Sequence, residues 1–311
     1  MERTLIPGRH PLDILFLTDY SEYCFRSIPA IVRMAEALKV RLTVLNVYDP
    51  ATSSQASADA RVNSFFPDAD RYAACHRIAV PGPVIDAVRR HCHAWPVNFM
   101  VAPASDVIGF PRIGGPSTRS RLIRECGLPL WTIGRSVTPE ILMRPVRNVA
   151  CWLDSYSPQT SHLAFAVEYA NKLNARLHLL RGLPEIDEGT LGSVADRRAI
   201  HPRSATEEML RLCASSPVRP EVHVSCGTGR AARARMLREC DADVVFLRNE
   251  DSVLAAWMGF GLHLNQGLPC PAVYVGDRME TPVWNLETSA AHRVASAVSA
   301  GFGARGRTAV L

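Results

Sequence analysis

The sequence predicts an α/β protein made of two tandem doubly wound units, and three observations carry that expectation. Residues 13–47 and 148–182 align without a gap at an offset of 135, placing Asp19 on Asp154, Ala35 on Ala170, Leu38 on Leu173, Arg41 on Arg176 and Leu45 on Leu180. The likeness continues: 77–102 matches 223–248 with a shift of one residue, and 128–134 echoes 270–276. Within each copy, short apolar runs alternate with stretches of helical period, the pattern of a parallel sheet flanked by helices.

In the first copy, residues 13–18 read as a strand. Residues 21–38 follow as a helix with apolar positions at Ile28, Ile31, Val32, Ala35 and Leu38. The second strand is 41–47. A polar stretch from 49 to about 70 contains part of a helix, and a strand follows near 76–80. A helix over 84–93, a strand over 97–102, a helix from about 116 to 126 and a fifth strand over 129–134 close the unit. The second copy repeats this as 147–153, 157–173, 175–181, about 190–214, 221–226, 229–239, 243–248, about 252–266 and 271–276. The expected division is 1–140, 141–280 and an Ala-, Ser-, Gly- and Arg-rich extension over 281–311, with a short helix near 286–298. Right-handed crossovers put helices on both faces of such sheets, and ligands bind beyond the carboxyl ends of the strands at the switch point.

The segments carrying the repeat are Ile14-Leu15-Phe16-Leu17-Thr18-Asp19, Ala35-Glu36-Ala37-Leu38 and Arg41-Leu42-Thr43-Val44-Leu45-Asn46-Val47. In the second copy they are Asp154-Ser155-Tyr156-Ser157, the run from Ala170 to Leu180, and Cys270-Pro271 before the last strand. Over about 11–277 the chain resembles a tandem universal stress protein. That resemblance implies a five-stranded parallel sheet of order 3-2-1-4-5 in each unit and pairing of the two fifth strands, an intramolecular pseudo-dimer. It also implies a ligand site in which a strand-1 aspartate lies near an adenine ring, a hydrophobic residue follows strand 2, and a G-x2-G-x9-G-[S/T] loop after strand 4 cradles phosphates. Carried over, the aspartates are Asp19 and Asp154 and the hydrophobic residue is Val47.

The phosphate loop departs from the pattern. Counting from Val101, the three glycine positions hold Pro103, Asp106 and Pro116, and only the hydroxyl position, Ser117, is kept; the second copy has Arg248 and Asp251 at the first two. An aspartate beside a triphosphate disfavours ATP as a cofactor. Gly114-Gly115-Pro116-Ser117-Thr118 still opens a helix, so Gly115, Ser117 and Thr118, near Arg112 or Arg119, remain candidates for a weak anion site.

Composition narrows the chemistry. The 311 residues carry a net charge of +5, and 33 of the 35 basic residues are arginine; the lysines are Lys39 and Lys172. Neither follows a glycine-rich loop, which argues against a Walker-type or Schiff-base lysine. Nine cysteines form no CxxC, so no zinc ribbon or disulfide framework is expected. Cys75-His76 and His91-Cys92-His93 lack ligand spacing, so no metal is assigned. No G-x-S-x-G elbow accompanies Asp19 and Ser21, and no catalytic residue is assigned. Arg230, Arg233, Arg235 and Arg238 read as a solvated helix face rather than a nucleic-acid surface. No apolar run reaches membrane-spanning length, and a cytoplasmic location is the default. The expectation is therefore a non-enzymatic stress-response module that binds a small ligand or a protein partner, with homodimerisation open. The alternative is a nucleotide-binding protein of the same kind with weak hydrolase activity.

Overall fold

A computed structural model of the chain describes residues 12–103, 118–153, 161–184, 201–248 and 267–276. Its centre is a ten-stranded sheet of order β3-β2-β1-β4-β5-β10-β9-β6-β7-β8. The first five strands are β1 (Leu12–Thr18), β2 (Val40–Tyr48), β3 (Ala74–Pro81), β4 (Phe99–Val101) and β5 (Leu130–Thr132). The second five are β6 (Asn148–Trp152), β7 (Arg176–Leu183), β8 (Pro220–Cys226), β9 (Val244–Arg248) and β10 (Ala272–Val275). Within each set the pairing is parallel and follows the order 3-2-1-4-5. The two sets meet where β5 and β10 pair antiparallel, Thr132 opposite Ala272 and Leu130 opposite Tyr274.

The strands read as unbroken apolar runs because the sheet is covered on both faces. Alternate residues of β1 show this: Ile14 and Phe16 enter one core, Leu15 the other. The first core takes in α1 (Glu22–Ala37), α2 (Gln55–Ser64), α6 (Ser161–Leu173) and α7 (Pro202–Leu212); the second takes in α3 (Val84–Ala94), α4 (Thr118–Cys126) and α8 (Arg230–Glu239). Both cores run through the junction. Phe99, Trp131, Val273 and Phe246 belong to one, and Met100, Leu130, Tyr274 and Leu247 to the other.

A short helix that the sequence reading did not anticipate, α5 (Pro139–Met143), lies between β5 and β6. Five residues are too few to show a helical period. Its ends are tied to α1, with Arg26 Nη2 donating to the Val137 carbonyl at 2.6 Å and Arg33 Nε to the Met143 carbonyl at 3.2 Å. The fourth strand is also shorter than expected, 99–101 rather than 97–102.

Asp243 anchors the start of the second unit. Its Oδ2 accepts from the backbone N–H of Arg147 at 2.7 Å and of Asn148 at 2.9 Å. Its Oδ1 faces Arg144 Nε as an ion pair that lacks the alignment of a hydrogen bond. The Asp243 side chain is 3% exposed, whereas that of Asp241, which also meets Arg144, is 71% exposed. Removing a buried partner strands the groups that faced it, while an exposed pair is screened by water. Asp243→Ala is therefore expected to lower the unfolding free energy by about 3 kcal/mol, and Asp241→Ala by less than about 1 kcal/mol, in urea denaturation followed by circular dichroism.

Candidate functional site

The switch point of the first unit lies beyond the carboxyl ends of β1 and β4. The chain leaves β1 through a tight turn in which Tyr20 takes φ +61° and its N–H donates to Thr18 Oγ1 at 3.1 Å. Asp19 Oδ1 accepts from the Ser21 N–H at 3.0 Å and from the Cys24 thiol at 3.2 Å, so this carboxylate shapes the entry to α1. The side chain is exposed. Beside it, Asn46 Nδ2 donates to the Thr18 carbonyl at 2.9 Å and locks the ends of β1 and β2 together. Val47 is half-buried and packs with Leu17 against the second core.

Tyr20 closes the opposite side. Its ring meets Phe65 edge-on at 5.7 Å and lies under the Arg61 guanidinium at 4.2 Å. Burial pushes its phenol up to about 12, against the pull of Arg61. Farther out, Gln55 Oε1 accepts from the Tyr48 hydroxyl at 2.6 Å while Gln55 Nε2 donates to the Ala79 carbonyl at 3.1 Å, covering the ends of β2 and β3.

Thr118 is exposed at the start of α4. Gly115 and Ser117 lie outside the described residues, as do Asp106, Arg112, Asp154 and Asp251. Arg119 turns into the junction between the units, where its Nη1 donates to Thr132 Oγ1 at 2.9 Å. Burial holds its pKa below the usual guanidinium value, with the nearby Tyr274 phenol acting in the opposite direction. Its guanidinium thus serves the seam.

The second unit has a different interior at its switch point. Trp152 occupies the position that Leu17 holds in the first copy, and Gly182 the position of Val47. The Trp152 side chain is buried, and the Arg233 guanidinium stacks over it at 4.7 Å. A Cβ on Gly182 would collide with the Gly227 carbonyl oxygen and stand 3.0 Å from Trp152 Cη2. The bare glycine therefore first admits the Gly227 backbone, with the tip of the indole packed beside it. Gly227, at φ +96°, donates its N–H to the Leu183 carbonyl at 2.7 Å and brings β8 close against β7 at this point. Arg235 Nη2 donates to Ser225 Oγ at 2.9 Å and to the Cys226 carbonyl at 3.3 Å. The helix expected to present a solvated arginine face thus turns Arg233 onto the indole, while Arg230, Arg235 and Arg238 stay exposed as expected. The Trp152 and Gly182 exchange is visible in the aligned repeat, but its meaning depends on the distance between the two.

No family model matches the sequence, and no curated protein sequence matches it. Solved structures do. A universal stress protein from Archaeoglobus fulgidus is similar with a TM-score of 0.62 at 13% identity, over 85% of this chain and 98% of that one. The fold is that of the universal stress proteins. A functionally unknown protein from Pseudomonas aeruginosa shares it with a TM-score of 0.57 at 11% identity, over 93% of this chain and 98% of that one. Within that fold, the chain has Asp19 and Val47 at the ends of β1 and β2 and the buried indole of Trp152 at the end of β6.

No described helix is long and apolar enough to cross a membrane. Among the described residues, the nine cysteines are all free thiols, with Cys24, Cys151, Cys213, Cys240 and Cys270 buried. The fit of Trp152 over Gly182 can be measured directly. Gly182→Ala is expected to lower stability by about 1–3 kcal/mol, read as a fall in denaturation midpoint, and Trp152→Leu added to it should not restore the loss, because the obstructing group is the Gly227 backbone carbonyl.

Proposed function

We propose that this chain is a non-enzymatic tandem universal stress protein that binds a small ligand at the first switch point and uses the second unit as its paired structural partner. The observation behind this reading is the unequal filling of the two switch points. Leu17 and Val47 are half-buried in the first unit, whereas Trp152 and Gly182 close the corresponding volume in the second. The pseudo-dimer rests on the antiparallel β5–β10 pair and on the two cores that continue through it.

The ligand is one whose recognition sits at its ring end. Asp19 and Val47 are the retained positions, with Thr118 and the neighbouring Gly115 and Ser117 at the start of α4; Asp154 is the matching aspartate of the second unit. Pro103, Asp106 and Pro116 replace the glycines that would let backbone N–H groups approach phosphates. An adenine-like base is thus favoured over a triphosphate tail.

Calorimetric titration of adenosine, AMP and ATP into the full chain tests this. Added phosphates are expected to give no gain, with ATP no tighter than about 100 µM. Any adenosine binding should disappear in the Leu17→Trp/Val47→Gly double variant, which copies the second unit's filling. ATP binding at least about tenfold tighter than adenosine, a difference of about 1.4 kcal/mol, would overturn the reading of the loop, and phosphate release under turnover conditions would overturn the non-enzymatic one.

A further inference from the structure

His178 and His223, which the sequence reading passed over, come together on neighbouring strands at the end of the second unit opposite its switch point. His178 stands on β7 directly across from Glu221 on β8, and His223 lies two residues farther along β8. The alternation of a strand puts Glu221 and His223 on one face, with His178 beside them, while Val222 turns to the first core. His178 Nδ1 is 3.1 Å from His223 Nε2 and 3.5 Å from a Glu221 carboxylate oxygen. One ligand atom from each residue lies within 4.8 Å of the other two.

The protonation state of His178 is set from behind. Asn148 Nδ2 donates to the Asp241 carbonyl at 3.1 Å, so its Oδ1 is the atom facing His178 Nε2 at 3.3 Å. That oxygen can only accept, which puts the imidazole proton on Nε2 and leaves a lone pair on Nδ1 aimed at Glu221 and His223. This is the arrangement in which a carbonyl orients and tunes a metal-ligating histidine. Burial is the main influence holding His178 neutral, since it lowers its pKa; His223 and Arg176 act the same way and Glu221 and Asp243 oppose them.

We propose that His178, Glu221 and His223 bind a divalent ion of the zinc type. A tetrahedral ion with ligands at about 2.0–2.1 Å has neighbouring ligand atoms about 3.3–3.4 Å apart, and the 3.1 and 3.5 Å separations bracket that edge. Two imidazoles and one carboxylate suit zinc and leave a fourth position for water or an outside donor. His178 is buried, His223 half-buried and Glu221 exposed, so the ion has a fixed floor and an open approach from the edge strand. This site is independent of the ligand reading of the first switch point.

The test uses the full chain, stripped with chelator and titrated with zinc by calorimetry, with cobalt absorption as a second readout. One equivalent per chain and a tetrahedral cobalt spectrum are expected. His223→Ala and Glu221→Ala, both on the outermost strand where a substitution leaves the buried core intact, should abolish stoichiometric uptake while circular dichroism melts stay near wild type. Asn148→Ala should weaken zinc about 10–100-fold through the histidine it orients. Failure of the wild-type chain to take up zinc overturns the proposal. So does uptake of one equivalent, undiminished, by the Glu221→Ala/His223→Ala double variant, because the ion would then lie elsewhere.

Discussion

Three residue pairs between β5 and β10 set the arrangement of everything else. Each of these strands is the last of its own five, and an uncovered strand edge invites association with other chains. Pairing them removes both edges at once. It also lets the two apolar layers continue from one unit into the next, so Trp131 and Leu130 pack within the same cores as Val273 and Tyr274. The antiparallel direction follows from joining two copies of one unit through the same strand, as in an isologous dimer, where each partner offers the same patch. Arg119, reaching from α4 to Thr132, and Tyr274 beside it place polar groups inside this seam.

The two units share a plan and differ in what fills it. An indole in place of Leu17 adds bulk, and a glycine in place of Val47 removes some, at diagonal positions of adjacent strands, Trp152 itself standing across from Leu180. Either change alone would strain or hollow a close-packed interior. Arg233 then covers the indole, which leaves this position packed. The first unit instead has the half-buried Leu17 and Val47 there, near Asp19, whose carboxylate forms the turn into α1.

Much of this was readable in the amino acids. The buried strands β1, β2, β6 and β7 declare themselves as apolar runs because helices cover both faces, and the repeat supplied the second unit once the first was drawn. The strand order and the fifth-strand pairing came with the family resemblance, and the observed sheet has both. What escaped was short or relational. α5 has too few residues for a period. Arg233 looked like surface and Arg119 like a helper of an anion site because their charge was visible and their partners Trp152 and Thr132 were distant in sequence. His178 resembled any polar residue in a strand. The Glu221-Val222-His223 alternation was a signal, but only the register of β7 against β8 shows that the three groups meet.

The reversal of direction at the seam has a consequence for how the molecule meets its surroundings. Where the strands of the first unit end, those of the second begin, so Asp19 and the His178 cluster lie along one rim of the sheet. They are six strand positions apart, roughly 30 Å before twist. The opposite rim, where the second unit's strands end, carries Trp152 and the start of α8 with Arg230, Arg233 and Arg235. One margin carries Asp19 and the Glu221, His178 and His223 cluster together with Arg61, Arg144 and Arg176, and the other carries guanidinium groups over an indole. The antiparallel seam thus sets the imidazole cluster of one copy on the same margin as the aspartate turn of the other, although both are built on one pattern.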